Sequence, residues 1–96
     1  MAPSTPSGSR YVRSAQVESS RAGERVILFH RGSRTALVLN PTASWLWDLL
    51  NGPQRQDDLV AAIESRFTDV PRATAAVDVS TLLQQLVERG MLSIES

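Results

Sequence analysis

The sequence predicts a small α+β domain, a three-stranded antiparallel sheet followed by three helices. Three observations predict it. Between Tyr11 and Leu39, short runs of strand-forming residues alternate with tight turns, and β-branched and aromatic side chains concentrate in Arg25–His30. Between Pro41 and Arg89 the apolar residues change to the three-and-four spacing of amphipathic helices. The change falls within Leu39-Asn40-Pro41, where Asn40 suits a helix cap and Pro41 suits the first helical position. With 96 residues, 42% of them hydrophobic, the chain has material for one small core, hence one domain.

The elements follow in order. Residues 1–10, opening Met1-Ala2-Pro3-Ser4-Thr5-Pro6, are expected to be a disordered tail, with the domain spanning 11–96. Tyr11–Glu18 reads as a first strand, Ala22-Gly23-Glu24 as a turn, Arg25–His30 as the second strand, Arg31-Gly32-Ser33 as a hairpin turn and Arg34–Leu39 as the third strand. Leu37 and Leu39 share one face of that strand and are expected in the core. A three-stranded meander leaves an outer strand, the first or the third, with unpaired backbone groups. The first helix runs from Pro41 to Leu50, with Ala43, Leu46, Trp47 and Leu50 on one face and Gly52 beyond its end. The second runs from Gln56 to Phe67. Asp57 and Asp58 oppose the dipole in its first turn, and Leu59, Val60, Ile63 and Phe67 form its buried stripe. The third runs from Arg72 to Arg89 between Pro71 and Gly90, with an unbroken stripe of Val79, Leu82, Leu83, Leu86 and Val87. Met91–Ile94 then returns in extended form as a short pairing strand.

Several function classes are excluded by what is missing. The absence of cysteine removes disulfides, thiolate zinc sites and cysteine nucleophiles. No stretch approaches the ~20 apolar residues that span a bilayer, so no membrane role is expected and a cytoplasmic location is the default. His30 is the single histidine, and a triad or metal site needs partners it lacks, so neither catalytic nor metal-binding residues are expected. Asp57 and Asp58 read as helix-start residues rather than paired acids. Asp78 lies one residue before the apolar stripe of the third helix, facing either the sheet or solvent. Trp45 and Trp47 point to different sides of their helix, one into the core and the other partly buried or over a pocket.

Strands packed with three helices suggest a winged helix-turn-helix, which calls for a test of nucleic-acid binding. The formal net charge is zero but divided. Residues 1–35 carry six arginines against two carboxylates, for +4, and residues 36–96 carry four arginines against eight carboxylates, for −4. The third helix, the candidate reader, holds Arg72 and Arg89 against Asp78 and Glu88 and is neutral. Phosphate neutralisation supplies nearly all non-specific affinity, so nucleic acid is not the expected partner.

From Tyr11 to Ile94 the chain resembles the PqqD family, the leader-binding module known as the RiPP recognition element. The resemblance lies in Leu39-Asn40-Pro41-Thr42-Ala43, in Trp47 and Asn51-Gly52 closing the first helix, and in Asp57-Asp58-Leu59-Val60-Ala61-Ala62-Ile63. It continues in Asp78-Val79 with Leu82-Leu83 and Leu86, and in Gly90-Met91-Leu92. Two positions depart from the pattern. Asn51-Gly52 stands for the family's Asp-Gly, and Arg55 stands where a threonine-like cap precedes the second helix.

The resemblance implies a winged-helix-like β3α3 domain without catalysis or a cofactor. Its partners would be a ribosomally made precursor, whose leader adds as a strand beside the third strand and third helix, and a maturation enzyme. Free-standing modules of this size favour a lasso-peptide system with a leader peptidase, and a radical SAM enzyme stays open. On that basis the backbone of Thr35, Ala36, Leu37 and Val38 is assigned to edge pairing, and Val77, Asp78, Thr81, Gln84 and Gln85 to the groove wall. Arg34 is the candidate partner for an acidic leader residue. Two other readings stand beside this one, a winged-helix nucleic-acid binder and a domain whose open edge pairs with its own copy.

Overall fold

The computed structural model describes residues 9–95. Its elements are β1 (Arg10–Arg13), β2 (Val17–Ala22), β3 (Arg25–His30), β4 (Thr35–Val38), α1 (Pro41–Leu49), α2 (Gln56–Arg66), α3 (Arg72–Glu88) and β5 (Leu92–Glu95). The expected meander is present as an antiparallel sheet ordered β2-β3-β4, so the α+β class and the strand-then-helix order hold.

The first strand differs from expectation. Tyr11–Glu18 is not one strand but parts of two, because Ser14 turns the chain between them. Its Oγ accepts the Gln16 N–H at 3.1 Å and its carbonyl accepts the Val17 N–H at 3.2 Å, a serine turn that competes with continued strand. Beyond the turn, β2 enters the meander and pairs Val17 with His30 through Ala22 with Arg25. Before it, β1 leaves the meander and pairs antiparallel with β5, Tyr11 opposite Ile94. On its other side Tyr11 exchanges both backbone bonds with Gln54, at 2.7 and 3.1 Å. Arg10, placed in the tail by composition, opens β1, and Ser9 before it is buried. The rest of the expected tail, residues 1–8, lies outside the described residues.

Helix limits follow the capping chemistry. Asn40 Oδ1 accepts the Ala43 N–H at 2.7 Å, with Pro41 next in line. Arg55 offers α2 no side-chain cap, and Asp57 and Asp58 sit exposed in its first turn, as helix-start residues do. Gly90 takes a φ of 72° after α3, which lets the Met91 N–H reach back to the Leu86 carbonyl at 2.8 Å and starts β5.

The core is where the three apolar stripes meet the inner face of the sheet. Leu28 and Val26 of β3 and Leu39 pack with Leu46, Trp47 and Leu50, with Leu59 and Ile63, and with Val79, Leu83 and Leu86. Trp47 is the core tryptophan. Trp45 is half-buried and meets Phe67 edge to face at 5.9 Å, so it stacks at the α1–α2 contact. No helix among the described residues is long and apolar enough to cross a membrane.

Candidate functional site

The open border of β4 can be resolved residue by residue. In an antiparallel pair, opposed residues alternate between those that exchange backbone bonds and those whose N–H and C=O turn away. The Leu39 N–H donates to the Val26 carbonyl at 2.9 Å, and the register sets Ile27 against Val38, Leu28 against Leu37, Phe29 against Ala36 and His30 against Thr35. Thr35 and Leu37 therefore bond toward β3. Ala36 and Val38 direct both backbone groups away from it, at an edge with no further strand among the described residues.

The ladder ends at Leu39 for a specific reason. The Val26 N–H, which would otherwise complete the Leu39 pair, donates to Ser44 Oγ at 2.7 Å, and that hydroxyl donates to the Leu39 carbonyl at 3.3 Å. Ser44 is fully buried. It inserts α1 into the end of the β3–β4 ladder and so fixes the helix start against the edge strand.

Between this edge and α3 lies an open groove of about 500 Å³. Leu37, Leu39, Ala43, Leu46 and Leu82 supply its apolar lining, and Asn40, Thr42, Thr81 and Gln85 its neutral polar rim. Asp78 is the charged residue of the lining, and its carboxylate makes no hydrogen bond or ion pair with the described residues. Val38, 55% exposed, lines the groove from the edge.

Of the residues assigned from sequence, Leu37, Val38, Asp78, Thr81 and Gln85 come together here. Thr35 and Ala36 lie on the same strand short of the groove, and Arg34 precedes them in the hairpin. Val77 and Gln84 are seven residues apart, on one helix face that stays outside the groove lining. Gln84 instead donates to Glu88 at 3.2 Å. Leu37 is half-buried rather than fully in the core, because its face borders the groove, whereas Leu39 is buried.

The family model described as "Coenzyme PQQ synthesis protein D (PqqD)" matches residues 25–92, from β3 to the start of β5. The chain belongs to the PqqD family. Its fold is similar to the solved structure of TbiB1 in complex with the TbiA(beta) leader peptide, at 28% identity and a TM-score of 0.79, covering 85% of this chain and 94% of that one. It is also similar in fold to a lasso peptide synthetase B1 complexed with the leader peptide, at 24% identity and a TM-score of 0.74, covering 86% and 96%. No curated protein matches the chain.

In this PqqD-family chain three of the six arginines of the extended half are engaged. Arg21 forks onto Asp48 at 2.6–2.7 Å, and Arg31 pairs with Glu18 at 3.7 Å while donating to the Ala15 carbonyl at 2.6 Å. Arg13 stacks 4.5 Å from the Trp47 ring centre and donates to the Trp47 carbonyl at 2.6 Å. Desolvation there lowers its pKa, against the attraction of Asp48. Arg34, like Arg10 and Arg25, makes no side-chain hydrogen bond or ion pair among the described residues. His30 accepts the Ser33 N–H on Nδ1 at 3.1 Å, which makes it a turn residue. No metal-ligating cluster occurs among the described residues.

Sequence reasoning missed two parts of this site. Asn40, Thr42, Ala43 and Leu46 line the groove, although the sequence marks Asn40 only as a cap and Ala43 and Leu46 only as a helix face. Ser44 left a signal that was legible, a hydroxyl within the buried stripe of a helix, which demands a partner.

Proposed function

We propose that the chain captures the leader segment of a ribosomally made precursor as an added strand on the open edge of β4, and presents it to a modifying or leader-cleaving enzyme without catalysing a reaction itself. The observation that carries this reading is the outward pair Ala36 and Val38 beside a groove with an apolar floor. Strand addition needs both features, main-chain groups for affinity and pockets for alternate side chains. TbiB1, alike over most of both chains, was solved with a leader peptide. Lasso-peptide maturation with a leader peptidase is the setting we favour.

Energetics assign the two features different tasks. The amide and carbonyl groups of Ala36 and Val38 allow about four ladder bonds, each worth ~0.5–1.5 kcal/mol net. Association alone costs ~4–15 kcal/mol, so backbone pairing does not hold a peptide. Each apolar side chain fully buried in the groove adds ~1.5–3 kcal/mol, and two or three are needed.

Ala36→Pro is a sharp test, because the N–H it removes faces away from β3 and proline is tolerated on an edge with that orientation. Fluorescence polarisation with the leader of the precursor encoded beside this chain is expected to show binding that Ala36→Pro and Arg34→Glu each weaken, while the far-ultraviolet circular dichroism is retained. Binding unchanged in both variants would refute the edge. A concentration-dependent dimer that excludes the leader would instead assign the edge to a second copy of the chain.

A further inference from the structure

Resting on that reading, we propose that the site also selects its peptide by charge order. A basic side chain near the peptide's amino end faces Asp78, and an acidic one about six residues later faces Arg34, so that the peptide runs antiparallel to β4. The geometry begins with the direction of α3. Gly90, just past its end, would place a Cβ 3.3 Å from His30 Nε2, and His30 is paired with Thr35. The carboxyl end of α3 therefore lies at the Thr35 end of β4. From Gln85 back to Asp78 the helix rises about 10 Å, and from Leu37 to Asn40 a strand covers about 10 Å. Asp78 thus stands toward Asn40, and Arg34 stands beyond the opposite end of the strand.

Asp78 is the charged side chain in the groove lining, and Arg34 is the arginine at the Thr35 end of the edge strand. Arg31 and Arg21 are held by carboxylates, whereas Asp78 and Arg34 are exposed and without ionic partners among the described residues. Arg34 also carries a φ of 60°, a left-handed conformation that glycine adopts without strain and arginine does not. A strained backbone under a free guanidinium is the arrangement expected where the side chain is kept for a ligand. Antiparallel pairing is the slightly more stable ladder, and it sets the amino end of the peptide against Asp78.

A yeast-displayed library of random 15-residue peptides, panned separately against the full chain and its Asp78→Lys variant, tests the inference. The wild-type chain is expected to enrich peptides with Lys or Arg on the amino side of an apolar pair and Asp or Glu about six positions later. Asp78→Lys is expected to enrich an acidic residue at the first position, and to bind wild-type-selected peptides about fivefold more weakly, the scale of an exposed attraction turned to repulsion. Asp78 has no partner among the described residues, and a thermal melt checks that the variant stays folded. Apolar peptides enriched without charge bias, or with the same bias on both baits, would overturn the charge reading and leave strand capture standing. The opposite charge order would overturn the antiparallel direction. Failure of the folded wild-type chain to enrich any peptide would overturn both readings.

Discussion

Ser44 connects three elements through one hydroxyl, and its removal leaves the buried Val26 amide with nothing to bond. Ser44→Ala is expected to lower stability by about 1–3 kcal/mol, the cost of an unsatisfied buried donor, measured by urea denaturation. An unchanged midpoint would mean that the β3–β4 ladder closes onto Leu39 by itself. Arg34 behaves oppositely. With a φ of 60° it sits where glycine is at ease, so Arg34→Gly is expected to raise stability by about 1 kcal/mol, or about 4–8 °C in Tm for a domain of this size. A more stable variant that binds its leader less well would separate what this arginine does for the fold from what it does for the ligand.

Among the elements, β4 is bonded on one side by β3, and its other side is the proposed ligand site. β2, at the opposite border of the meander, is likewise paired on one side only among the described strands, but the groove lies along β4. β1 lies between β5 and Gln54, and α3 passes into β5 through Gly90. A side chain at Gly90 meets both a positive φ and the His30 ring. Gly90→Ala is therefore expected to cost about 1–2 kcal/mol from the left-handed backbone alone, read by thermal denaturation. Its effect on leader affinity is expected to be small, since Gly90 lies outside the groove.

For the whole molecule, the division of charge along the chain is partly neutralised by contacts within the fold. Arg21 answers Asp48 and Arg31 answers Glu18, while Arg13 is stacked on Trp47. With these three cations engaged and a formal net charge of zero, few counterions are released on meeting DNA. Labelled random duplex is therefore expected to show no retention in a mobility-shift assay at about 0.15 M ionic strength, where exposed charges are screened beyond about 8 Å. Tight binding with a steep salt slope would revive the nucleic-acid reading.

The elements carried by periodicity and punctuation were legible before folding. Asn40-Pro41 and Gly90 mark helix ends, and the stripes Leu46-Trp47-Leu50 and Val79-Leu82-Leu83-Leu86 mark the buried faces, because each signal depends only on neighbours within a turn of backbone. The strand expected over Tyr11–Glu18 divides at Ser14, where the local serine turn is joined by the Met91 carbonyl accepting the Ser14 N–H, a partner far along the chain. The strand pattern likewise shows that an outer strand of the meander stays open. Which backbone groups face outward, that Ser44 closes the ladder, and that α1 helps line the groove are set by the packed fold. Those outcomes depend on register and on side-chain insertion between distant segments, which local spacing does not encode.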